Sequence, residues 1–173
     1  IVKVTSVTLA PTKLSTTYNS KKPFQIKVYK GSYLFVGVKL KLKVYTGSKY
    51  QTVSVTTDSK GIAKYNDASV LSVANHKVVV TSAESKSYLT ATSKNSNIVV
   101  SKAPTTVSAP KVTNKYKKSA YFKVTVKMKS TGYTVPAGVA IKLKVYTGSK
   151  YKTYTVKTNS KGVASFNTQS LTV

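Results

Sequence analysis

Residues 38–57 read VKLKLKVYTGSKYQTVSVTT. Val38, Leu40, Leu42 and Val44 alternate with Lys39, Lys41, Lys43 and Tyr45. Period two is the signature of a strand with one buried and one solvated face. Gly47-Ser48 interrupts the run and suits a two-residue hairpin turn with glycine first, the II′ type. That turn pairs Tyr45 with Tyr50, Lys43 with Thr52 and Leu42 with Val53. Apolar then meets apolar on one face and polar meets polar on the other, so turn and register agree.

The same stretch returns. Lys41 to Tyr50, KLKVYTGSKY, recurs unchanged at Lys142 to Tyr151, 101 positions later. TDSKGIA at Thr57 to Ala63 returns at the same spacing as TNSKGVA, Thr158 to Ala164. Upstream, Tyr18 matches Tyr116 and Phe24 matches Phe122 at an offset of 98. The three-residue difference falls between residues 31–36 and 130–137, loops by their Gly and Pro content. Self-similarity at this period means two copies of one unit. The second register pairs Tyr146 with Tyr151 and Leu143 with Tyr154, an independent agreement.

Alternation marks further strands. Phe24, Ile26 and Val28 oppose Gln25, Lys27 and Tyr29, and residues 122–129 alternate likewise. Residues 51–57, 62–65, 76–82 and 97–102 read as strands too, and no segment has helical periodicity. Many short strands in units of roughly 100 residues indicate an all-β fold of tandem immunoglobulin-like β-sandwich repeats. Leu40, Leu42, Val44, Ile141, Leu143 and Val145 are its expected core residues. In T-[DN]-S-K-G, Asp58 and Asn159 are expected to cap backbone N–H groups, and Gly61 and Gly162 to supply a positive φ.

The boundaries follow from the repeat. Residues 1–6 read as the last strand of a preceding repeat, because Ile1–Val4 followed by Val7–Pro11 mirrors Ile98–Ser101 followed by Thr106–Pro110. Residues 7–102 form a complete repeat. Residues 103–173 form a second that is C-terminally incomplete, lacking counterparts of the 76–82 and 97–102 strands. Such a unit exposes apolar core and an unpaired edge. Either those strands lie outside this sequence, or a neighbouring chain supplies one such as Ile1–Val4.

Composition narrows the function. There are 29 basic residues, all lysine, against three acids, Asp58, Asp67 and Glu84, for a formal net charge of +26. That charge favours polyanions. The absence of arginine argues against sequence-specific nucleic-acid reading, which relies on bidentate guanidinium forks. Lys39, Lys41 and Lys43 sit about 7 Å apart on one strand face. Neighbours repel by about 0.6 kcal/mol in water, which an acidic glycan or wall polymer would relieve. Tyr45 and Tyr50 offer a flat surface at the end of the row, and Lys142, Lys144, Tyr146 and Tyr151 repeat the arrangement. A solvating lysine coat and a cross-strand Tyr pair are the plainer account of the same residues.

Catalysis finds no constellation. Residues 103–173 contain no carboxylate, so paired-carboxylate glycosidase chemistry and acid-catalysed isopeptide cross-links are excluded there. His76 is the only histidine and reads as a hydrogen-bonded corner residue. With no cysteine, thiolate chemistry and zinc–thiolate sites fall away. Three scattered acids cannot build a calcium site. No metal, cofactor or catalytic residue is expected. Neither a membrane-length apolar run nor an N-x-[ST] sequon is present.

KLKVYTGSKY, followed by T-[DN]-S-K-G-[IV]-A and then Asn75-His76-Lys77-Val78-Val79-Val80, resembles the Ig-like repeats of adhesin-like surface proteins of methanogenic archaea. The T-[DN]-x-x-G-x-A turn is similar to bacterial invasin- and intimin-type repeats. The resemblance implies an extracellular, cell-surface or wall-associated protein of many repeats that attaches to other cells. Two alternatives stay open: a fibre assembled by homotypic strand exchange, and an ancillary module of a wall-degrading enzyme.

Overall fold

The computed structural model describes residues 6–83, 85, 88–115 and 117–171. The expected strand over residues 1–6 thus lies, except for Ser6, outside the described residues. The chain divides into two compact units, Ile1–Lys102 and Ala103–Val173.

In the first unit the strands are β1 (Thr8–Pro11), β2 (Leu14–Thr17), β3 (Phe24–Lys30), β4 (Tyr33–Leu34), β5 (Lys39–Thr46), β6 (Lys49–Thr56), β7 (Ile62–Tyr65), β8 (Asn75–Ser82) and β9 (Ser96–Ser101). A four-stranded sheet places β3 centrally, bonded to β1, β4 and β7. A five-stranded sheet runs β2-β9-β8-β5-β6, antiparallel except where β2 meets β9. Alternation decides what each sheet buries. Phe24, Ile26 and Val28 point inward from one; Leu40, Leu42, Val44, Val78, Val80, Ile98 and Val100 from the other. This is an all-β sandwich with its core between two sheets.

The second unit contains β10 (Thr105–Ser108), β11 (Tyr121–Met128), β12 (Ala140–Thr147), β13 (Lys150–Lys157) and β14 (Val163–Asn167). β10, β11 and β14 form a three-stranded sheet, while among the described residues β12 and β13 pair with each other alone. Val124, Val126, Met128, Val135 and Ala164 are buried. The expectation that Ile141, Leu143 and Val145 would be buried is corrected here: all three are half-exposed. The physical reason is the sheet. β5 lies between β6 and β8, whereas one edge of β12 has no ladder partner among the described residues.

Both hairpins adopt the expected register. Tyr45 faces Tyr50 and Leu42 faces Val53, as Tyr146 faces Tyr151 and Leu143 faces Tyr154. Gly47 and Gly148 have φ of 62° and 61°, and no positive φ follows at the next serine. That is the II′ geometry read from the glycine.

Candidate functional site

The outer face of the β5–β6 hairpin carries the candidate residues in rows. Lys39, Lys41 and Lys43 are exposed on β5, opposite Thr56, Ser54 and Thr52 on β6. The lysine row therefore runs beside a row of hydroxyls. It ends at Tyr45 and Tyr50, whose ring centroids are 5.3 Å apart and tilted by 48°. Lys43 Nζ sits 4.8 Å from the centre of the Tyr50 ring, and Lys77 Nζ 5.6 Å from that of Tyr45. These are cation–π distances, which hold the ammonium heads near the rings without neutralising them.

In the second unit, Lys142 and Lys144 face Thr155 and Thr153, with Tyr146 opposite Tyr151. The Tyr centroids lie 5.2 Å apart, again at 48°, and Lys144 Nζ is 4.5 Å from the Tyr151 ring. The structure thus gathers Lys39, Lys41, Lys43, Tyr45 and Tyr50 on one face, and Lys142, Lys144, Tyr146 and Tyr151 on another. Each face is cationic and hydroxyl-lined, with an aromatic end, and can hold anionic and hydroxyl-bearing groups together.

The turn residues hold the loop behind each hairpin. Asp58 Oδ1 accepts from the N–H groups of Lys60 at 2.9 Å and Ile62 at 3.0 Å. Asn159 Oδ1 accepts from those of Lys161 at 2.9 Å and Val163 at 3.1 Å. An amide does what the carboxylate does, so the role needs an oxygen and no charge. The N–H bonds from Ile62 and Lys60 hold the Asp58 carboxyl below the usual aspartate range, against a smaller opposing effect of burial. Lys64 Nζ is 3.9 Å away, a weak exposed pair. Gly61 and Gly162 have φ of 65° and 67°. A Cβ on Gly61 would lie 2.7 Å from Leu34 Cβ and 2.8 Å from the Phe35 nitrogen; one on Gly162 would lie 2.7 Å from Thr134 Cβ.

His76 is fully buried. Its Nδ1 lies 2.9 Å from the Tyr45 carbonyl and 3.2 Å from Thr46 Oγ1, and its Nε2 lies 2.8 Å from the Ser72 carbonyl. The imidazole pins three segments together, the structural role expected of it. Burial raises the Tyr65 phenol, with Asp67 adding to the effect, and Gln51 Nε2 donates to its oxygen at 3.2 Å. Among the described residues no three His, Cys, Asp or Glu side chains group as metal ligands, and no helix is long and apolar enough to cross a membrane.

No protein-family model and no curated protein matches the chain. Solved structures similar to it include adhesin repeats. One is a tetra-tandem repeat from the extending region of a large adhesion protein, 12% identical, TM-score 0.39, with 94% of this chain and 40% of that one covered. Another is a Ca²⁺-stabilised adhesin with which an Antarctic bacterium reaches out and binds ice, 16% identical, TM-score 0.37, with 95% and 41% covered. Escherichia coli alpha-2-macroglobulin also matches, at 12% identity, TM-score 0.35, with 95% and 14% covered. The chain spans about two fifths of each adhesin structure.

Three contributors, Lys77, Thr57 and Thr158, were missed by the sequence reading. Lys77 reaches Tyr45 only because β8 lies beside β5, a long-range pairing. Thr57 is buried; its hydroxyl accepts from Val38 N–H at 2.9 Å and donates to the Phe35 carbonyl at 2.9 Å. Thr158 does the same with Val139 at 3.0 Å and Pro136 at 2.7 Å. The recurrence of Thr before each [DN]-S-K-G was the available signal.

Proposed function

We propose that this chain is a non-enzymatic Ig-like repeat segment of a large cell-surface adhesin, of the kind found in methanogenic archaea, displayed outside the cell or on its wall. Its two units are copies of one repeat, and their hairpin faces attach to acidic glycans or wall polymers on another cell. One observation carries this reading. A lysine row beside a row of hydroxyls, ending in a tilted Tyr pair, stands on both hairpins, with three lysines on the first and two on the second, where Ala140 takes the place of Lys39, and with ring separations of 5.3 and 5.2 Å. A solvating coat needs lysines but not a flanking aromatic platform repeated to that degree. Sugar rings stack on such a platform, while carboxylate or sulfate groups meet the ammonium row.

The test is retention on an immobilised acidic polysaccharide, such as polygalacturonate, eluted with salt. Changing Lys39, Lys41, Lys43, Lys142 and Lys144 to Gln is expected to lower the eluting salt concentration well below that of the parent chain. A control with five exposed lysines changed elsewhere (Lys13, Lys22, Lys94, Lys123 and Lys127) carries the same net charge. Equal loss in the two variants would reduce the effect to bulk charge and overturn the assignment.

A further inference from the structure

We infer that the outer edge of β6 in the first unit is a docking site for an acidic, extended polypeptide, which joins the five-stranded sheet as a further strand. This goes beyond the polyanion reading, because the ligand is a peptide and the backbone of β6 carries its recognition.

The ladder fixes which groups are available. β6 ends the order β2-β9-β8-β5-β6. Thr57 N–H bonds to the Val38 carbonyl at 3.1 Å, and the bonds to one neighbour fall on every second residue of an antiparallel strand. Gln51, Val53 and Val55 therefore spend their backbone groups on β5. Tyr50, Thr52, Ser54 and Thr56 turn theirs to the other side, where no strand pairs with them among the described residues. All four residues are exposed.

This edge is also unguarded. Edge strands are commonly protected by lysines or by an inward-pointing charge. From Tyr50 to Thr56 β6 has neither, in a chain of 29 lysines. The matching strand β13 has both. Lys152 stands opposite Val145, in the inward row where β6 has Gln51 opposite Val44, and Lys157 stands where β6 has Thr56. Gln51 is neutral, and its Nε2 donates inward to the Tyr65 hydroxyl at 3.2 Å.

Charge decides the occupant. Lys39, Lys41 and Lys43 are exposed on the outer face one strand away, and Lys43 Nζ reaches toward β6, 4.8 Å from the Tyr50 ring. A strand added to β6 would carry its outer side chains two strand spacings, about 10 Å, from that row. Extended lysine and glutamate side chains together bridge that gap above the short hydroxyls of Thr52, Ser54 and Thr56. Residues that exchange backbone bonds across an antiparallel pair share a face. The acidic residues of the ligand are thus the ones bonded to β6. Its alternate residues lie beside half-buried Val53 and Val55 and are apolar. A second copy of this chain would bring its own lysine row and its own +26 charge, which disfavours self-pairing.

The probe is a labelled, end-capped nine-residue peptide of alternating valine and glutamate, added to the intact 173-residue chain. Saturable binding is expected, with amide exchange at Thr52, Ser54 and Thr56 slowed about tenfold or more and that of residues 150–157 unchanged. Two N-methylated forms of the peptide separate backbone from charge, since their charge is the same. Methyl groups on the glutamate amides should weaken binding about tenfold or more, because those N–H groups face β6. Methyl groups on the valine amides should leave it within about twofold. Gln51→Lys should weaken binding about tenfold, although it adds a positive charge that bulk attraction would reward. No saturable binding, equal affinity of the two methylated peptides, tighter binding by Gln51→Lys, or protection that spares residues 52–56 would each overturn the proposal.

Discussion

Lys41–Tyr50 and Lys142–Tyr151 are the same ten residues in two settings, and they fold into the same hairpin. Turn type, register, Tyr spacing and the lysine over the ring all coincide. Burial does not. Leu42 is 0% exposed and Val44 1%, while Leu143 and Val145 are half-exposed. Val38 is 0% exposed and its counterpart Val139 37%. Local sequence therefore decides the hairpin, and the strand laid beside it decides how much energy its apolar face contributes.

The sharpest way to break this comparison is to truncate the matched leucines. Leu42→Ala should cost about 3–5 kcal/mol, the transfer loss plus a trapped cavity. Leu143→Ala should cost about 1 kcal/mol, since the side chain is only half-covered. Unit-resolved unfolding in denaturant, followed by amide exchange, reads both. Equal costs would mean that the second unit closes in solution as tightly as the first.

Next come the turn glycines, where the units should agree. Gly61→Ala and Gly162→Ala each force a side chain into positive φ and against a neighbouring Cβ. Each should destabilise its unit by about 2–4 kcal/mol. A large inequality between them would show that the turns are less alike than their geometry. Thr57→Val and Thr158→Val follow, at about 1–3 kcal/mol each, because a carbonyl and an N–H lose their hydroxyl partner. Thr→Ser, which keeps the hydroxyl, should recover most of that.

The smallest effect is electrostatic and confined to one unit. Backbone N–H bonds depress the Asp58 carboxyl in the folded state. Its contribution is therefore fully present above the unfolded aspartate range, about pH 4, and is lost as pH falls through the folded value. Asp58→Asn should remove that acid dependence from the first unit. The second unit, with Asn159, should show none at this turn. Unit-resolved stability between about pH 2 and pH 6 reads the difference.

What could be read from sequence were the features encoded within a few residues. Gly47-Ser48 and Gly148-Ser149 set both hairpins, Asp58 and Asn159 both turns, and alternation put Lys39, Lys41, Lys43 and Tyr45 on the exposed side of β5. Less legible were features that depend on distant partners. Leu14–Thr17 is a strand only through parallel pairing with residues 98–101, and no short turn announces such a pairing. Residues 111–115 of the second unit adopt no strand. Lys77 joined the site through the β5–β8 register, and the half-exposed Ile141, Leu143 and Val145 show how an identical pattern meets a different neighbourhood.

The parallel pairing of β2 with β9 has a mechanical consequence. Leu14 lies opposite Ile98 and Thr17 opposite Ser101, and the Tyr18 N–H reaches the Ser101 carbonyl at 2.8 Å. A pull entering the first unit at Leu14 and leaving at Ser101 drags the two strands lengthwise past each other. The bonds of that ladder are then loaded side by side and must rupture together, whereas a hairpin pulled from its open end unzips one bond at a time. Single-molecule stretching would read this as a high rupture force for the first unit, lowered when proline replaces Val99 in β9.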